Sequence, residues 1–157
     1  MADLVTHAAV GLLLGRGTGA TRGAMALAAA GAVLPDVIGR APGLALRLAG
    51  LEAASWSAWL DVCHTPAGSL VMAALLSQAF EQRARAAGWL AMGAASHFGL
   101  DILQDHHGMG YRLLFPLHAA RFELGWIGSE TTTMWALPLG LLALAAWIRP
   151  TAAKNSE

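Results

Sequence analysis

The stretch "ASHFGLDILQDHH", Ala95 to His107, crowds His97, Asp101, Asp105, His106 and His107 into a chain that is otherwise poor in charge. His97 and Asp101 stand four residues apart. On an α-helix that spacing puts both on one face, a turn apart. An imidazole and a carboxylate so placed either chelate a divalent cation or hydrogen-bond to each other. Asp105 continues the face one turn on, as a third ligand, a supporting partner or a helix-end residue. His106 and His107 read as loop residues beyond the helix, near the mouth of any site.

Three other places offer related groups. Asp36 follows "AVLP", where an acid after a proline is, taken alone, a turn or capping residue. His7, in "LVTHAAVG", taken alone is a satisfied core histidine. His64, in "DVCHTPAGS", precedes Pro66; Thr65 or Ser69 is placed to cap or support the helix that follows. Asp61 is placed to orient the His64 ring. Cys63 is either a soft ligand or a small buried hydrophobe. As the single cysteine it excludes an intrachain disulfide.

Together the set carries more weight than its members. Ionisable groups in an apolar bundle are costly unless paired or ligated. Mixed nitrogen and oxygen donors suit Zn²⁺ first, with Mn²⁺ the alternative. Such an ion acidifies water that it binds, so hydrolysis is the natural chemistry, with Asp61 or Asp105 taking the proton. A non-catalytic site for metal or protons, serving structure, regulation or transport, is the alternative use of the same groups.

The elements that must position these residues follow from composition. The chain has 157 residues, enough for one domain. It is 56% hydrophobic and 13% charged, with 18 glycines, which points to an all-α bundle embedded in a membrane with small residues at helix contacts. Four to five spanning or buried helices plus one interfacial helix are expected. The net charge is zero, so nothing attracts nucleic acid. The N-terminus has no basic run before its apolar stretch and reads as part of the fold.

Six helical segments are predicted: Leu4 to Leu14, Gly23 to Leu34, an amphipathic interfacial segment from Leu44 to Leu60, Pro66 to Phe80, Trp89 to Asp105, and Thr131 to Ile148. The second should stop at "LPD", because Pro35 lacks the N–H that would continue it. Residues 1–149 form one membrane domain and 150–157 a polar tail. If the five non-interfacial segments alternate up and down, His7, Asp36, His64, His97 and Asp101 arrive at one end. Arg16, Arg22, Arg83, Arg85, Arg149 and Lys154 arrive at the other. A positive-inside bias then makes the arginine end cytoplasmic and turns the site outward. Arg40, Arg47, Arg112 and Arg121 lie on the site's side, where they either offset that bias or bind phosphate groups.

In order, "THAAVGLLLG", "AGAVLPDVIGR", "CHTPAGSLV" and "ASHFGLDIL…GYRLLFPL" resemble the YdjM-type family of predicted membrane-bound, metal-dependent hydrolases, over Thr6 to Leu117. The family is distantly similar to zinc-dependent phospholipase C. The resemblance implies His7, Asp36, His64, His97 and Asp101 as metal positions, and Gly110 and Pro116 as structural ones. It also implies the inner or plasma membrane of a bacterium, the lipid bilayer as partner, and a lipid or other amphiphile as substrate. The chain departs from the family pattern in having one histidine in "DVCHTPAGS", Ile38 in place of a second acid, and Gln104 in place of a threonine.

Overall fold

The computed structural model describes residues 3–50 and 62–150. Five α-helices make up most of them: α1 (Leu4–Gly17), α2 (Arg22–Leu48), α3 (Pro66–Ser77), α4 (Arg83–Leu103) and α5 (Ser129–Ile148). The expected all-α class is therefore the observed one. Gln104–Asp105 (β1) and Ile127–Gly128 (β2) add a two-residue parallel pair that closes the loop between α4 and α5.

Each helix begins where its local chemistry allows. Asp3 caps α1, accepting from the Thr6 N–H at 2.9 Å. Thr65 caps α3, accepting from Gly68 N–H at 3.1 Å, with Pro66 at the first helical position. Ser69 donates back to the Cys63 carbonyl at 3.1 Å. Both Thr65 and Ser69 thus fix the turn that carries His64.

Helix α2 departs most from expectation. It does not stop at Leu34 but runs through Pro35 and Pro42 to Leu48. Proline inside a helix costs about 3 kcal/mol, so tertiary packing must offset it. That packing is dense. A Cβ on Gly31 would collide with the Leu90 backbone, and one on Gly93 with the Ala28 carbonyl, so α2 and α4 touch backbone to backbone. Asp36 is therefore a mid-helix residue, not a turn or cap. Leu44 to Leu48 end α2, Ala49 and Gly50 follow as a turn, and the rest of the expected interfacial segment lies outside the described residues.

Helix α4 also starts earlier than expected, at Arg83 rather than Trp89, because "RARAA" is rich in helix-forming residues. It ends at Leu103, so Asp105 leaves the His97–Asp101 face. Two helical stretches are long and apolar enough to cross a membrane, Arg22–Leu46 and Glu130–Ile148. The first reaches that length only because α2 runs on through Pro35. Along α5, Met134 and Leu137 are each more than 70% exposed, a face that suits lipid rather than water.

The termini set the directions. Thr6 in α1 donates to the Thr132 carbonyl at the start of α5. At the far end Arg16 reaches the Pro150 carbonyl at 3.0 Å and Arg22 the Ile148 carbonyl at 3.3 Å. The start of α1, the start of α3 and the end of α4 thus share one end. Helix α2 passes that level: its twelve residues beyond Asp36 extend it by about 18 Å.

Candidate metal centre

Four separate pieces of chain bring five polar side chains together. His7 comes from the first turn of α1, Asp36 from the middle of α2, His64 from the turn before α3, and His97 and Asp101 from the last two turns of α4. His7 and His97 are 0% exposed and Asp101 is 1% exposed. The five positions singled out in the sequence are one cluster.

Its geometry is tight. His97 Nε2 lies 3.2 Å from Asp101 Oδ2 and 3.1 Å from His64 Nε2. His64 Nε2 lies 3.1 Å from Asp36 Oδ1 and 3.8 Å from Asp101 Oδ2. His7 Nε2 lies 3.4 Å from Asp101 Oδ1, and its ring stacks on His97 with centroids 4.1 Å apart. Two groups bring ligand atoms within 4.8 Å of one another: His7, His97 and Asp101; and Asp36, His64 and His97.

His97 is held in a defined state. Its Nδ1–H donates to the Ala32 carbonyl at 2.8 Å, across the α2–α4 contact that Gly31 and Gly93 permit. With Nδ1 so engaged, Nε2 is the ring nitrogen that faces the cluster, as in a carbonyl-backed metal-binding histidine. Nε2 has one lone pair and is common to both groups, so the two groups point to one shared ion rather than two.

Asp36, His64 and His97 find hydrogen-bonding partners, but the rest of the cluster does not. Among the described residues, both Asp101 oxygens and both His7 ring nitrogens are buried without a partner in hydrogen-bonding geometry. Burying a polar atom that way costs about 1–3 kcal/mol, and more for a charged one. Short N···O separations with poor hydrogen-bond angles arise when lone pairs aim at a common point. The donor set and its orphaned atoms fit a divalent cation.

A second layer was not read from the sequence. Arg40, one turn beyond Asp36, pairs with it at 3.1 Å. Tyr111 donates its hydroxyl to His106 Nε2 at 2.9 Å, and His106 Nδ1–H donates to the Gln104 carbonyl at 3.1 Å. Burial first, and the Asp101 carboxylate next, push the Tyr111 phenol above its ordinary range, while Arg40 pulls the other way. Burial pushes His106 down, which keeps it neutral and able to accept from Tyr111.

The loop holding these residues is organised by Glu123. Its carboxylate accepts the N–H groups of His106, Gly108 and Gly110 at 3.1, 2.8 and 3.2 Å. Gly110 has φ +30° and presses on the Phe122 backbone, so a side chain there is excluded twice over. Tyr111 and Phe122 then exchange backbone hydrogen bonds at 2.9 Å. Only the glycines of "HHGMG" hinted at such a turn; a lone Glu123 in "RFEL" gave no signal. Asp105 accepts the His107 N–H at 2.7 Å and belongs to neither ligand group. Asp61, the expected partner of His64, lies outside the described residues.

A cavity of about 370 Å³ opens from the cluster, with His64, Tyr111 and His106 on its wall and His107 at its rim. The expected loop position of His106 and His107 by the mouth is the observed one.

Comparison with known proteins then adds one finding. No curated protein and no solved structure matches the chain, and the expected similarity to zinc-dependent phospholipase C finds no support there. The family model described as YdjM inner membrane protein matches residues 1–155. Inner-membrane residence agrees with the two candidate spans and the exposed apolar face of α5. Over nearly its whole length the chain belongs to the YdjM inner membrane protein family.

Proposed function

We propose that the protein is a membrane-bound, metal-dependent hydrolase of an ester or phosphoester, with His7, Asp36, His64, His97 and Asp101 as the residues that hold the ion. One observation carries the reading: Asp101 and His7 bury four ligand-type atoms without hydrogen-bonding partners among the described residues, against histidine nitrogens at 3.2–3.4 Å. The borderline N/O donor set favours Zn²⁺, with Mn²⁺ second. When bound, such an ion polarises an ester oxygen and acidifies water.

The chain's own residues do the rest. The Ala32 carbonyl fixes the His97 tautomer. Arg40 steadies Asp36 beside His64. Tyr111, kept protonated and donating to His106, stands at the cavity wall as a neutral hydroxyl rather than a base. A substrate enters through the cavity on the His64 side, because the other faces of the cluster are packed between α1, α2 and α4. By the positive-inside bias, the arginines at the far end favour a cytoplasmic position for that end and an outward-facing site.

The test is turnover by purified protein of a panel of phosphoester and carboxyl-ester lipids with Zn²⁺ or Mn²⁺, beside a His97→Ala/Asp101→Ala variant. Hydrolysis by the wild type, lost on chelation and in the variant, supports the reading. An ion bound at full occupancy with no turnover across the panel favours the non-catalytic alternative.

A further inference from the structure

The cavity beside the cluster has a charge pattern of its own. Arg40, Arg112 and Arg121 all line it, three of the ten Lys and Arg residues in the chain. No Asp or Glu is among the described residues that line it. Arg40 is fixed by Asp36 at 3.1 Å and reaches the Tyr111 hydroxyl at 3.5 Å. Arg121 donates to the Met109 carbonyl at 2.6 Å, which holds its guanidinium at the rim. No carboxylate of a described residue lies within ion-pair distance of Arg112 or Arg121. Three guanidinium groups around one concavity form a receptor for an oxyanion, because each offers paired N–H donors that match phosphate oxygens.

The surroundings specify more than an anion. About 370 Å³ is room for a small polar headgroup rather than a whole lipid. On the same loop Met109, Leu114, Leu117 and Trp126 are 67%, 64%, 92% and 75% exposed. Met109 lines the cavity itself, so a charged bowl on a loop with exposed apolar side chains matches a molecule with an anionic head and an apolar tail. Tryptophan and arginine together are also the side chains that settle at the headgroup level of a bilayer.

We propose that Arg40, Arg112 and Arg121 bind the phosphate of an anionic amphiphile and present it to the His64 side of the cluster. The proposal rests on the hydrolase reading for its purpose, but the binding step stands apart from it. Arg112 and Arg121 contribute affinity from the rim, and Arg40 links the bound phosphate to Asp36.

The experiment is calorimetric titration of the full chain in neutral detergent, with and without chelator, against three probes: lysophosphatidic acid, inorganic phosphate, and a monoacylglycerol with the same tail. Lysophosphatidic acid is expected to bind and the monoacylglycerol not. Arg112→Gln/Arg121→Gln should weaken that binding by at least about tenfold while the metal content stays at the wild-type level. Arg83→Gln/Arg85→Gln, at the start of α4, should leave it unchanged. Tighter binding of lysophosphatidic acid than of phosphate identifies a lipid headgroup as the source; equal binding identifies free phosphate. Wild-type binding that is no better than that of the monoacylglycerol overturns the proposal. So does wild-type affinity in Arg112→Gln/Arg121→Gln, or an equal loss in Arg83→Gln/Arg85→Gln. Headgroup binding by a wild type that retains no ion and turns over no ester would sink the hydrolase reading and leave the pocket standing.

Discussion

Replacing Asp101 by Asn separates an ion-binding cluster from a self-paired one by the sign of a stability change. The side chain is 1% exposed, with Oδ2 3.2 Å from His97 Nε2 and Oδ1 3.4 Å from His7 Nε2. Asn keeps the shape and removes the charge. If Asp101 served chiefly as the ion-pair partner of protonated histidines, removing it would cost about 3–5 kcal/mol under every condition. If it serves as a ligand, the chelated wild type already bears an unsatisfied carboxylate. Asp101→Asn then costs nothing, or adds stability, in chelator. With Zn²⁺ at a hundred times its Kd, the wild type gains about 2.7 kcal/mol from mass action. For a domain of this size that is a rise in Tm of roughly 5–11 °C, at about 2–4 °C per kcal/mol. The variant should lose most of that rise. The assay is thermal unfolding of both proteins in detergent, in chelator and along a Zn²⁺ titration. A large destabilisation in chelator, with no metal-dependent rise in the wild type, would refute the reasoning.

Three further outcomes follow from the same geometry. Gly93→Ala drives a methyl into the Ala28 carbonyl, so it should cost about 1–3 kcal/mol of overpacking and lower metal affinity by parting His97 from Ala32; unfolding and metal titration of one sample read both. Glu123→Gln keeps the acceptor's shape but weakens three charge-assisted hydrogen bonds, so it should lower turnover while metal content holds, measured by mass spectrometry of bound metal beside the assay. Tyr111 is the sole tyrosine, so its phenolate absorbance titrates one known group. Its raised pKa means that the unfolded chain releases the proton first: stability is intact below about pH 10 and falls as pH climbs from there toward the folded value. Absorbance should show no phenolate in the folded protein at the pH where the denatured protein is half titrated.

Much of this site was legible because its residue types are rare in such a chain. Histidine and aspartate in apolar helices demand partners, and helix alternation alone brought His7, Asp36, His64, His97 and Asp101 together. Thr65 and Ser69 were equally readable, since capping chemistry is local. Pro35 misled because a local rule met a tertiary contact: Gly31 and Gly93 let α2 and α4 touch, and that packing carries the helix past the proline. The second layer was hidden for a related reason. Arg40, Tyr111 and Glu123 act through contacts between distant parts of the chain, and no spacing rule registers a carboxylate that closes a loop fifteen residues away.

The central claim is that the five residues hold one metal ion, and X-ray absorption at the zinc edge tests it most directly. Protein prepared without chelator and supplied with Zn²⁺ should bind it in a shell of nitrogen and oxygen at about 2.0–2.1 Å, with imidazole scattering that His97→Ala/Asp101→Ala abolishes. A wild-type protein that retains no ion, or one whose ion shows the same shell in that variant, would contradict the account.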